Sequence, residues 1–193
     1  MHGTYRHRVI ELPIGGVYAT GEYLRIRTLL GSCVASCLYD PDMRVGGMNH
    51  ILLPGYAQAG DEGLATRYGV HAMELLINRI MCLGGAKPNL RAKVFGGAKM
   101  LALTPQVIDV ADMNTKFVLE FLERERIPIE AYSLGGTAGM TVLFEPVTGK
   151  ALIRRICGPR GRELASREQN RGAEIYRAAP RVSKHNITLF EDL

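Results

Sequence analysis

Apolar positions recur along this chain with two different spacings, and the switch between them predicts the elements. In EYLRIRTLL, Leu24, Ile26 and Thr28 fall at every second position, the period of a strand with one buried face. VYAT at 17–20 and VGGMNHILLP at 45–54 read as further strands, the second stopped by Pro54. Between them VASCLYDP runs apolar without a clear period and stops at Asp40-Pro41; it follows the Gly31-Ser32 break and is read as opening a helix. Ala65, Tyr68, Ala72, Leu75, Leu76, Ile80 and Leu83 then recur at three and four, which predicts a helix over Glu62–Leu83 ended by Gly84-Gly85. Val110, Met113, Phe117, Leu119, Phe121 and Leu122 predict a second helix over Asp109–Arg126, closed off before Pro128. A strand at Leu90–Phe95 lies between the helices. Three short strands fill 129–156, parted by Gly135-Gly136 and by the turn at Thr148-Gly149. Strands that follow one another without helices between them favour an α+β fold, a layered α/β/β sandwich with mixed, largely antiparallel sheets and two main helices, over a doubly wound parallel sheet.

Past Cys157 the pattern fades. From Arg154 to Lys184 nine Lys and Arg face three Glu, although the whole chain carries a net charge of only +5, so the basic excess sits in the tail. This divides the chain into a folded domain over 1–159 and a basic appendage over 160–193, expected to be mobile in part. Residues 166–176 carry a weak helical pattern that Gly172 opposes. Tyr176 is the one aromatic residue of the tail before Phe190, so the tail lacks a stacking platform and no nucleic-acid partner is expected. No run of 18 apolar residues and no signal-peptide core occurs, which points to a cytoplasmic protein without membrane insertion.

The chemistry-bearing residues gather early. Cysteines stand at 33, 37, 82 and 157, without a Cys-x-x-Cys pair, and the chain is large enough to fold without a disulfide framework. Cys33 follows a strand and the Gly31-Ser32 turn. The first amides of a helix opening there would favour its thiolate and could hold an oxyanion. His50 lies seventeen residues on, at the next strand, from which it can return to Cys33 as a general base. Two other readings stay open at this level. A buried cysteine packs as a small apolar group, and Cys33, Cys37 and His50 together could hold a zinc ion with one open position. Gly96-Gly97 lacks the spacing of a phosphate loop and reads as a turn that lets the backbone pass a site.

Four motifs, TLLGSCVASCLYDP, VGGMNHILLP, RAKVFGGAKM and SLGGTAGMTVLFEPVTGK, resemble in order those of the CheD family, the chemoreceptor glutamine deamidases of bacterial chemotaxis. The resemblance covers about residues 15–156. It implies a layered α/β sandwich and a cysteine hydrolase that uses neither metal nor cofactor. Its substrates would be glutamines of methyl-accepting chemotaxis receptors, hydrolysed to glutamate with release of ammonia. By motif it makes Cys33 the nucleophile and His50 the general base, with Gly31 and Ser32 forming the oxyanion turn. Independently of the resemblance, the polar, glycine-rich composition and the position of the loop Gly55–Gly63 make it the expected docking rim. A family threonine that orients the histidine stands six places before the cysteine. Here that place holds Arg27, and Thr28, one position later, is the candidate. Met140 stands where the family commonly carries arginine. Some members also bind a CheC-type phosphatase, and a regulatory binding partner with weak or lost activity is the alternative reading.

Overall fold

A computed structural model of the chain describes residues 8–53, 62–99 and 110–156, the backbone alone at 62–65, together with residues 163, 164, 166–168, 170, 171 and 174. In chain order the elements are β1 (Val9–Glu11), β2 (Val17–Thr20), β3 (Arg25–Leu30), β4 (Val34–Asp40), β5 (Val45–Asn49), α1 (Glu62–Cys82), β6 (Arg91–Gly96), α2 (Val110–Arg124), β7 (Ile129–Leu134), β8 (Gly139–Glu145) and β9 (Lys150–Ile156). The strands form a four-stranded sheet, β1-β3-β8-β9, and a five-stranded sheet, β2-β5-β4-β6-β7. Pairing is parallel between β1 and β3 and between β6 and β7, and antiparallel between the other neighbours.

Two apolar clusters hold these layers together. One joins Met73, Leu76, Ile77 and Ile80 of α1 and Val118, Phe121 and Leu122 of α2 to Val34, Leu38 and Val94 of the larger sheet. The other fills the space between the sheets with Ile26, Leu30, Cys33, Cys37, Met48, Phe95, Val142 and Phe144. The layers therefore run helices, five-stranded sheet, four-stranded sheet, which is the expected α+β sandwich. Fully burying one Leu or Ile is worth about 1.5–3 kcal/mol, so each cluster far outweighs any surface ion pair. Close approach of α1 depends on Gly47, where a Cβ would come within 2.3 Å of the Tyr18 carbonyl oxygen and 2.8 Å of Leu76 Cδ1.

β4 corrects the sequence reading. VASCLYD is a strand, and Cys33 opens no helix. All seven residues are buried and β4 pairs on both sides. A central strand covered on both faces takes mostly apolar residues on each of them, which erases the two-residue period, and its buried Ser36 and Asp40 do not restore it. Strand alternation sends Val34 and Leu38 to the helices and Cys33, Ala35 and Cys37 to the space between the sheets. Cys33 and Cys37 share a face for that reason, not because a helical turn separates them. β1, for which the sequence pattern offers no strand, adds three residues alongside β3, too few for a visible period. The docking-rim loop falls mostly at 54–61, outside the described residues.

β3 shows the opposite pattern. Ile26, Thr28 and Leu30 point into the sandwich, while Arg25, Arg27 and Leu29 face outward. Arg27 is exposed and pairs with Glu11 of β1. Met140, on β8, packs in the cluster between the sheets, where an arginine would need a buried partner.

Candidate active site

The site begins with a turn whose carbonyls are all held from behind. Between β3 and β4, the Gly31 carbonyl accepts from the Ala98 N–H at 2.6 Å and the Cys33 carbonyl from the Gly97 N–H at 2.8 Å. The Ser32 carbonyl accepts from Asn114 Nδ2 at 2.9 Å, and Asn114 Oδ1 accepts from the Leu53 N–H at 2.8 Å. With its carbonyl oxygens tied down, the turn presents N–H groups on its other side. Gly96 makes this packing possible. Its φ is +115°, and a Cβ there would sit 2.1 Å from the Cys33 carbonyl oxygen. The glycine pair is a backbone passage beside the turn that carries Cys33.

His50 reaches the same place from β5. Cys37 pairs with Met48 and Val34 with Ile51. The same antiparallel register sets His50 opposite Ala35, on the face that carries Cys33. The histidine backbone is clamped: its N–H donates to the Gly16 carbonyl at 3.0 Å, and its carbonyl accepts from the Gly15 N–H at 2.8 Å. Cys33 is 0% and His50 3% exposed.

Thr28 comes from the facing sheet. Its Oγ1 lies 2.8 Å from His50 Nδ1 and 2.8 Å from the Leu12 carbonyl oxygen. A hydroxyl has one proton to give, and a carbonyl can only accept, so that proton goes to Leu12. Thr28 Oγ1 then accepts from Nδ1–H. This fixes the tautomer and leaves the Nε2 lone pair available. Nε2 is buried and has no hydrogen-bond partner among the described residues. Burial pulls the His50 pKa down to about 4, opposed in part by the Leu12 carbonyl, so the ring is neutral at physiological pH.

The sequence reading missed a fourth participant. The described residues between 163 and 174 are helical, and Glu168 among them is 2% exposed. Its Oε1 accepts from the Gly31 N–H at 2.7 Å, and its Oε2 accepts from the Ser32 N–H at 2.6 Å and from Ser32 Oγ at 2.8 Å. Cys33 Sγ, a ring nitrogen of His50 and a Glu168 oxygen lie within 4.8 Å of one another. Burial pushes the Cys33 thiol well above its ordinary pKa, and the Glu168 carboxylate pushes it further the same way. This form of the site thus holds a neutral thiol beside a neutral imidazole.

Cys37 lies outside that cluster. It is fully buried, its thiol is raised by burial, and its strand partners are Met48 and Lys93. The three-ligand arrangement of Cys33, Cys37 and His50 is not what the fold assembles. Glu168 takes the third place, with both of its oxygens already engaged by Gly31 and Ser32. Asn114 and Glu168 carried little sequence signal: Asn114 is a polar residue on the buried face of a helix, and Glu168 lies in a polar stretch.

The arrangement can perform nucleophilic acyl chemistry, with a thiol, a base held in one tautomer and an anion seat of two backbone N–H groups and a hydroxyl. A family model described as CheD chemotactic sensory transduction matches residues 52–155. The chain is 44% identical over 158 residues to a Vibrio vulnificus (strain YJ016) protein named probable chemoreceptor glutamine deamidase CheD, covering 78% of this chain and 72% of that one. This chain belongs to the CheD family. A protein of the same name from Ruegeria sp. (strain TM1040), numbered CheD 1, is 45% identical over 165 residues, 84% of each chain. One from Bordetella avium (strain 197N) is 37% identical over 185 residues, 93% of this chain and 81% of its own. A match over 93% of this chain takes in position 168 wherever it begins, so likeness to a CheD relative extends into the C-terminal stretch.

Proposed function

We propose that this CheD-family chain is a chemoreceptor glutamine deamidase that uses Cys33 as nucleophile and His50 as base, with Thr28 as the residue that positions His50. One observation carries the assignment of roles. Thr28 Oγ1 joins the Leu12 carbonyl to His50 Nδ1 and leaves Nε2 without a hydrogen-bond partner among the described residues, in a ring of which one nitrogen lies within 4.8 Å of Cys33 Sγ.

In this reading His50 Nε2 takes the Cys33 thiol proton, and the thiolate attacks the side-chain amide carbon of a receptor glutamine. The Gly31 and Ser32 N–H groups and the Ser32 hydroxyl receive the oxygen as it becomes negative. The imidazolium returns its proton to the departing nitrogen. The C–N bond breaks, ammonia leaves, and a thioester to Cys33 remains. Water then attacks the thioester with His50 taking its proton, the C–S bond breaks, and glutamate and the Cys33 thiol are restored. Residues of this chain supply every proton transfer.

Among the described residues no helix is long and apolar enough to cross a membrane. In the proposed reading the enzyme works in the cytoplasm, on the cytoplasmic part of its receptor. The rival reading, a partner of a CheC-type phosphatase without activity of its own, is the weaker one. A binding role gives no reason to aim a thiol, an imidazole and a hydroxyl at one another inside the core, where burying three polar groups is unfavourable.

The test is incubation with a purified methyl-accepting chemotaxis receptor, followed by peptide mapping of glutamine-to-glutamate conversion and an ammonia assay. Wild type converts defined glutamines, and Cys33→Ala does not. Identical receptor maps from the two would end the enzymatic reading.

A further inference from the structure

Glu168 is not part of the proposed reaction, yet it occupies the place where that reaction would put its product. We propose that the C-terminal stretch around 163–174 carries a built-in product analogue, with Glu168 seated where the carboxylate of a product glutamate lies, so that the chain rests closed until a receptor glutamine displaces it.

Three observations carry this inference, which rests on the deamidase reading. The first is chemical identity: the group in the anion seat is a glutamate side chain, the product of glutamine hydrolysis and the isostere of its substrate. The second is geometry. Both oxygens are taken up by the turn next to the nucleophile, at 2.6–2.8 Å from the Gly31 N–H, the Ser32 N–H and Ser32 Oγ. The Cys33 sulfur, a ring nitrogen of His50 and a Glu168 oxygen lie within 4.8 Å of one another. The third is presentation. The described residues of this stretch are helical, and buried Leu164 precedes Glu168 by four, so the two share one face of a helix. Exposed Arg167 and Arg171 flank Glu168 in sequence, and Arg171 pairs with Glu174 at 2.8 Å. Among the described residues of this stretch, Leu164 and Glu168 are the buried ones and the others are exposed, so the contact with the sandwich centres on the seated carboxylate. Its charge also opposes ionisation of Cys33 while it is bound, a burden that a neutral glutamine amide in the same seat would lift.

The seat makes a chemical prediction. In a full-length Glu168→Gln chain the amide carbon of the introduced glutamine replaces the carboxylate carbon beside Cys33. The thiolate bonds to that carbon, the C–N bond breaks with His50 protonating the leaving nitrogen, and ammonia departs. Water cleaves the resulting internal thioester, leaving Glu168 and free Cys33. The variant thereby restores its own wild-type side chain.

The experiment has three readouts on the full-length chain. Fragment-level mass mapping of Glu168→Gln should find glutamate at 168, with glutamine retained there when Cys33→Ala is added. Iodoacetamide labelling of Cys33 should be on the order of tenfold faster, or more, in Glu168→Ala than in wild type, because at least one charge-assisted hydrogen bond no longer holds the seat closed. Exposed Cys82 serves as the internal reference. Receptor conversion by Glu168→Ala should rise by a similar factor. Equal Cys33 labelling in wild type and Glu168→Ala overturns the closed seat and leaves the deamidase reading untouched. If Glu168→Gln keeps its glutamine at position 168 in a folded chain that still converts receptor glutamines, the product-analogue assignment alone is overturned. Faster labelling in Glu168→Ala, with no conversion of the introduced glutamine or of any receptor glutamine, would leave the closed seat standing and sink the deamidase reading instead.

Discussion

The two ends of β4 each hold a buried carboxylate on backbone N–H groups, and they differ in how far that carboxylate has travelled. At the C-terminal end Asp40 Oδ1 accepts from the N–H groups of Asp42 and Met43 at 2.9 and 3.0 Å, and its Oδ2 from Ala86 at 2.8 Å. At the N-terminal end Glu168 accepts from Gly31 and Ser32, 137 and 136 residues away in sequence. Asp40 belongs to the turn it caps and cannot leave without unfolding it. Glu168 comes from a distant stretch of chain, so in the proposed resting state its seat can be vacated without unfolding the turn itself. The same local chemistry is structural at one end of the strand and, in the proposed resting state, exchangeable at the other. That second end is where Cys33, the proposed nucleophile, stands.

Breaking the catalytic end should have the largest effect. His50→Ala should lower receptor conversion by about two to four orders of magnitude, the usual worth of a general base. His50 also sets a pH signature. Folded His50 titrates at about 4, against 6.5 for an ordinary histidine. Between those values the unfolded chain binds more protons, so stability is full above pH 6.5 and falls as the pH drops toward 4, by about 3 kcal/mol in total. Urea titrations across that window should show the slope in wild type and lose it in His50→Gln. The structural end should respond in stability alone. Asp40→Ala strips three backbone donors of their acceptor and should cost about 3 kcal/mol, read as a lower denaturant midpoint with receptor conversion per folded molecule unchanged.

Thr28→Val tests the link between the sheets. It leaves Nδ1–H without its hydroxyl acceptor and should lower kcat by roughly tenfold to a hundredfold through misplacement of the ring. The pH dependence of kcat/KM should shift with it, and Thr28→Ser should restore both. A purely structural threonine would change stability and leave the pH profile where it was. The smallest effect should come from Cys37→Ala, the other thiol on the Cys33 face: about 1 kcal/mol of stability and no change in conversion.

How much of this could be read from the sequence depended on the range of the interactions. The alternation of Leu24, Ile26 and Thr28 already put Thr28 on the buried face of β3 and Arg27 on the other. It kept Thr28 as the candidate partner of the histidine where the family spacing points to Arg27, and the contact itself, which joins the two sheets, became visible only in the fold. Both main helices were legible because each buries one face. β4 was not, because burial on both faces removes the period that separates strand from helix. Asn114 and Glu168 were invisible for a related reason. Their meaning lies in carbonyl and N–H groups brought to them by tertiary contacts 82 and 136 residues distant, and nothing in their neighbours' identity records those contacts.

The central claim is that Cys33 is the atom that bonds to the substrate. Acid quenching of wild type during turnover with receptor, followed by mass mapping, tests it most directly. The account predicts a hydroxylamine-sensitive thioester joining Cys33 to a receptor side chain, present in wild type and in Cys37→Ala and absent in Cys33→Ala. Receptor glutamate formed by Cys33→Ala at the wild-type rate, or a thioester mapped to Cys37, would contradict it.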